Sequence, residues 1–246
     1  MALQEHESEP MPLSLARTAL VAFAVVAAAI AGLIMIWLSL DWSIGYKDRS
    51  LYGTLGNLVG SIVGGGMLFL LLRRRQPGRY LGLTHPQPRA FGLGLLAGLG
   101  FAALFAAVGW LATGDRLDPA WIDIYTSYGH NPTLLVLSML VATPLFEECL
   151  LRGLLHRGLA ASRLGATGAI GVISVFSMLI QSPGSLIAAF HALGSAVILG
   201  VVRERTGSIV TGLAIRVLEG VILLTAASVI VGHVGHIGDQ VPGAGD

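Results

Sequence analysis

The chain has 246 residues, of which 54% are hydrophobic and 12% charged, with a formal net charge of +1. A soluble globular chain carries about 25% charged residues. Half that supply excludes a disordered protein, a basic nucleic-acid binder and an ordinary cytosolic enzyme, and leaves an integral membrane protein built of apolar helices.

A spanning helix needs about 20 mostly apolar residues, and seven segments approach this. The first runs from about Ala16 to Leu40, free of charge after Arg17. Its leader is acidic (Glu5, Glu7, Glu9), and its apolar run exceeds the roughly 7–15 residues of a signal-peptide core. A retained helix is expected. The second runs from about Leu51 to Leu72 and the third from about Ala90 to Thr113. The fourth starts at Asn131-Pro132, an N-cap followed by Pro at the first helical position, and continues past Glu147 and Glu148 toward Arg157. The fifth covers about Ala166–Gln181, the sixth about Ser185–Val202 and the seventh about Ser208–Val231. The fold class expected is an all-α, polytopic transmembrane bundle of about seven spans. Its divisions are a tail over 1–15, helices one to three over 16–131, a core over 132–232 and a tail over 233–246. The stretches Gln76–Pro88 and Leu117–Pro132 read as loops.

Orientation follows from the loop charges. Arg73, Arg74, Arg75, Arg79 and Arg89, then Arg157 and Arg163, then Arg203 and Arg205 all fall on one side of this arrangement. The opposite loops are acidic or neutral. Lys and Arg concentrate on the cytoplasmic side, so the N-terminus is expected inside and the C-terminus outside. Two ladders of small residues, Gly56–Gly60–Gly64 and Gly94–Gly98, lie on single helix faces where backbones can approach closely. The one cysteine, Cys149, excludes an internal disulfide and a cysteine zinc cluster.

Charge within a membrane helix is costly, about 2.5–3.5 kcal/mol per residue on insertion scales, and marks a functional candidate. The fourth helix carries Glu147, Glu148 and Arg152, with His156 one turn on. Glu148 and Arg152 are i,i+4 neighbours in the orientation that favours pairing, whereas Glu147 is expected to face a different neighbour. One Arg is not expected to serve two adjacent carboxylates, and an unpaired one suits general acid–base work. Pro144 is expected to bend the helix. The seventh helix carries Arg216 and Glu219, i,i+3 neighbours that can neutralise each other. At 1.5 Å per residue, Glu148 lies about 13 Å, Arg216 about 12 Å and His191 about 18 Å from the basic boundary. All three are therefore candidates for one polar cavity.

The string Pro144-Leu-Phe-Glu147-Glu148-Cys-Leu-Leu-Arg152-Gly153 resembles the EExxxR motif of the CAAX-protease and bacteriocin-processing (CPBP, or ABI) membrane proteins. Arg205-Thr206-Gly207-Ser208-Ile209 resembles that family's RTGSL turn before its last conserved helix, at matching distance. The resemblance covers about Pro132 to Leu224. It implies an intramembrane glutamate-dependent or metallo-type endopeptidase acting on membrane-embedded or lipid-anchored peptides, with membrane lipid around it and no nucleic acid. Glu147 would activate water, Glu148 would assist and Arg152 would hold the carboxylates. A divalent, zinc-like metal is implied only for an active site. The expected setting is a bacterial inner (plasma) membrane.

The family's two histidine motifs are broken in this chain. Gln181 stands where the first His is expected, and Arg216 and Gly220 stand at the places of His and Asn in the last motif. An Arg there brings a fixed positive charge against any cation. Three readings stay open: a catalytically silent relative with Arg216 in the metal's place, a protease rebuilt around His191 or His156, and an unrelated membrane protein. His233 and His236 in the tail are a weaker metal candidate.

Overall fold

The structure is a computed structural model and describes residues 10–41, 49–114, 119–128, 131–181 and 184–238. Helix α1 spans Leu15–Asp41 and α2 Arg49–Leu72, which continues through a 3-10 turn at Arg73–Arg75. A five-residue helix α3 follows at Pro77–Leu81, then α4 at Pro88–Thr113 and α5 at Pro119–Tyr128. Helix α6 is continuous over Pro132–Ala160. Helices α7 (Gly165–Gln181), α8 (Leu186–Thr206) and α9 (Val210–Gly238) follow. Among the described residues six helices are long and apolar enough to cross a membrane: α1, α2, α4, α6, α8 and α9. The protein is an all-α integral membrane bundle. The seventh expected span, α7, has 17 residues, about 26 Å of rise and the lower limit for a crossing.

One expectation needs correction. The two stretches read as loops contain short helices, α3 and α5, each with Pro at its first position, where φ is already helical and no N–H is required. The last span, Val210–Val231, ends where the sequence placed it, while its helix continues to Gly238. Around Pro144 the helix changes type. Residues Val136–Ala142 are π-helical, and Pro144 sits in the first turn of the α-helical stretch Thr143–Glu147. A second π segment, Glu148–Leu155, follows at once. Such wide turns occur where function or strain competes with the α ladder.

The glycine ladders pack helices as expected. A Cβ on Gly60 would stand 3.0 Å from the Ala29 carbonyl oxygen, and one on Gly64 2.7 Å from the Phe146 ring. Hence α1 and α6 both press on α2. Gly94 and Gly98 take Thr211 and Ile215 of α9 at 2.7 and 2.6 Å by the same measure. Helix α6 is the central element: 44% of its most apolar window is buried by other helices, against 11% for α4.

The basic loops gather at one end. Arg157 donates to the carbonyls of Tyr80 and Pro10, and Arg75 donates to that of Met11 at 2.6 Å. The Leu13 amide donates to the Tyr80 hydroxyl at 3.1 Å. The turn between α8 and α9 is tied down too. Gly207 (φ +66°) closes α8, Thr206 Oγ1 donates to Val202 O, and the Ser208 hydroxyl accepts from the Val210 amide to cap α9. The Ile209 amide then donates to the Gly82 carbonyl at 2.9 Å. This turn therefore fixes where α9 enters the bundle, and with it the height of Arg216.

Candidate active site

Four ionisable side chains from two helices meet inside the bundle. Glu148 and Arg152 lie one turn apart on α6, 1% and 0% exposed, with Arg152 Nη1 3.2 Å from Glu148 Oε1. The similar depths of Glu148 and Arg216 read from the sequence are borne out by direct contact. Arg216 Nη1 donates to Glu147 Oε2 at 2.7 Å, and Arg216 Nε stands 3.1 Å from Glu148 Oε1. The expectation that one Arg cannot serve both carboxylates is therefore wrong. A guanidinium carries five N–H donors in a rigid fork, and two edges of that fork reach two neighbouring acids. The Glu147 contact is an aligned hydrogen bond. The Glu148 contacts are ionic approaches without such alignment, which leaves both Glu148 oxygens and all three Arg152 nitrogens buried with charge as their main compensation.

Arg216 and Glu219 do not form a direct ion pair. Arg216 turns to α6, while Glu219 Oε1 stands 3.3 Å from His191 Nε2 on α8. That imidazole stacks on Phe101, with centroids 5.9 Å apart at 10°, and also meets Phe105 of α4. His156 Nε2 lies 3.6 Å from Glu204 Oε2 at the basic end. Thus neither candidate imidazole pairs with Glu147 or Glu148. Gln181 is exposed at the end of α7, and its amide nitrogen donates to Ser177 O of its own helix at 3.2 Å. The side chains of His233 and His236 lie outside the described residues.

The sequence reading missed Gly212. A Cβ there would stand 2.9 Å from Glu148 Oε2, so α9 comes close against the carboxylate at this position. The signal was present: Gly212 precedes Arg216 by one helical turn, on the same face. Gly220, at the counted place of the missing Asn, is covered by Leu140, whose Cδ2 would stand 2.5 Å from a Cβ.

The donor set does not fit a divalent metal. Two carboxylates are on hand, but each is engaged by a guanidinium, and among the described residues no group of three His, Cys, Asp or Glu side chains could hold an ion. The fixed positive charge of Arg216, held between the two carboxylates, opposes a divalent ion there by like-charge repulsion.

Comparison with known proteins gives one match. Residues 129–222 match the model of a family described as Type II CAAX prenyl endopeptidase Rce1-like. The matched segment, less than half the chain, holds Glu147, Glu148, Arg152 and Arg216. No curated protein and no solved structure matches the chain.

Proposed function

With residues 129–222 matching the Rce1-like CAAX endopeptidases of the CPBP family, we propose that this protein is a pseudoprotease: a membrane module that binds membrane-embedded or lipid-anchored peptides without cleaving them. The observation that carries this reading is Arg216 bridging Glu147 and Glu148. Hydrolysis of a peptide bond needs a base with a lone pair free for water and an electrophile for the oxyanion. Glu147 Oε2 is held by a guanidinium at 2.7 Å and so serves as that cation's counter-ion, with only the other carboxylate oxygen left for water. The electrophile would normally be a metal, and Arg216 stands where its cation charge is required. A fixed Arg replaces that charge but cannot bind and polarise water as a Lewis acid does.

What the ion pair keeps is shape. The charges of Glu147 and Glu148 balance those of Arg152 and Arg216, so α6 and α9 are held together at this level. Such a core retains a use only if it still receives a peptide, and the expected setting is a bacterial inner membrane. The test uses the full chain in proteoliposomes with a farnesylated peptide bearing a photo-crosslinker. The peptide is expected to crosslink within residues 132–232 and to be recovered at full length. Shortened peptide from wild type, absent with Glu147→Ala, would overturn the proposal, as would failure to crosslink above a non-lipidated control.

A further inference from the structure

The ion pairs inside the bundle differ in how far they are closed off. Glu148 and Arg152 are 1% and 0% exposed, whereas Glu147 and Arg216 keep 26% and 19% of their side-chain surface accessible. Their mutual bond uses Glu147 Oε2 and Arg216 Nη1, and Arg216 Nε turns to Glu148. Glu147 Oε1 and Arg216 Nη2 have no hydrogen-bond partner among the described residues, and neither is sealed off as the Glu148 oxygens are. One acceptor and one donor of the same ion pair are thus left over. The strip continues along α9. Three residues on, Glu219 and its partner His191 are 16% and 32% exposed, and their second polar atoms, Oε2 and Nδ1, are likewise unbonded among the described residues.

We propose that this strip binds the backbone of an extended peptide. Glu147 Oε1 accepts from a peptide N–H, Arg216 Nη2 donates to a peptide carbonyl, and Glu219 with His191 forms a second contact. Such binding presupposes the peptide-binding reading above and adds the conformation and the groups recognised. In lipid a helical peptide satisfies its own N–H and C=O groups and has none to offer. An unwound one carries both, and is heavily penalised unless they are met. Charge balance favours the same ligand. Glu147, Glu148, Arg152 and Arg216 already sum to zero, so a neutral amide with one donor and one acceptor fits better than an ion. At the second contact, a neutral imidazole with its proton on Nε2, toward Glu219, has Nδ1 left to accept. Helix pairing alone requires no accessible edge, and the Glu148–Arg152 pair has none.

The test uses the full chain in proteoliposomes with the farnesylated photo-crosslinking peptide. Beside it go a copy made helical with α-aminoisobutyric acid and a set with single amides replaced by esters, each lacking one N–H. Crosslinking is expected to be lost with the helical copy. It should fall about tenfold at one or two ester positions, the weight of a hydrogen bond to a charged group. In Glu147→Ala the most sensitive position should lose its effect, while Glu147→Gln, which keeps an acceptor oxygen, should retain it. His191→Phe, which preserves the stack on Phe101 and leaves the four central charges in place, should blunt the effect at the other position. Three results would overturn the strip while peptide binding itself stands: equal crosslinking of helical and parent peptides, no sensitive ester position, or ester effects unchanged in both Glu147→Ala and His191→Phe. Failure of every lipidated peptide to crosslink above a non-lipidated control would overturn the peptide-binding reading, and the strip with it.

Discussion

Arg216 Nη1 and Glu147 Oε2, 69 residues apart in the chain, are joined at 2.7 Å inside the bundle. The bond locks α9 to α6 at the level of the EExxxR motif, and the same guanidinium reaches Glu148 at 3.1 Å. Removing it therefore leaves two carboxylates uncompensated at once. Arg216→Met is expected to destabilise the protein by about 3 kcal/mol, the low end for breaking a buried ion pair, as a drop in the thermal midpoint in detergent. Arg216→Lys should recover only part of the loss, because a single ammonium cannot span both acids with the geometry of the fork.

Arg152 gives a sharper test of charge balance. It is fully buried 3.2 Å from Glu148, so Arg152→Met alone should cost about 3–5 kcal/mol by stranding a carboxylate charge next to apolar surface. Combining it with Glu148→Leu should recover much of that cost, since both charges of the i,i+4 pair are then gone. The double-mutant cycle in denaturant or thermal unfolding reads the coupling directly. Additive effects of the two substitutions would show that the pair is not coupled.

The helix packing predicts opposite outcomes at adjacent glycines. A Cβ on Gly64 would meet the Phe146 ring at 2.7 Å and Ala29 Cβ at 2.9 Å, while one on Gly65 meets nothing within 4 Å. Gly64→Ala should destabilise by about 1–3 kcal/mol through overpacking. Gly65→Ala should be neutral or stabilise by up to about 1 kcal/mol from helix propensity. Thermal midpoints of the two variants check this in one experiment.

These same helices show how far the sequence was legible. Spans follow from hydropathy because lipid permits little else, and the Gly60–Gly64 ladder announces close packing because nothing larger fits beside α1. Equal depth for Glu148 and Arg216 also follows from helix rise alone. Side-chain partners do not. The i,i+3 spacing of Arg216 and Glu219 suggests a local pair, but α6 offers Arg216 two acids and α8 offers Glu219 an imidazole. Tertiary choices of this kind leave no local trace. The two π-helical stretches of α6 were equally hidden, since only Pro144 hinted that its ladder would change.

Cys149 provides a probe of local opening at the site. It neighbours Glu148 on α6 and is 2% exposed, and reagents need access to its thiolate. In folded protein its labelling by a water-soluble maleimide should be slow and limited by opening of the bundle. Arg216→Met should accelerate it as it loosens α9 from α6. Rapid labelling of wild type in a bilayer would contradict the packing described for α6.

In the pseudoprotease reading, the Arg216 guanidinium takes the place of a catalytic cation between Glu147 and Glu148. Metal content of the purified full chain checks this, after equilibration with zinc and removal of loosely bound ion, for wild type and for Glu147→Gln. Substoichiometric zinc is expected in wild type, with no change on substitution, because Arg216 repels the ion and each carboxylate is already paired. One equivalent of zinc in wild type, lost in Glu147→Gln, would contradict it.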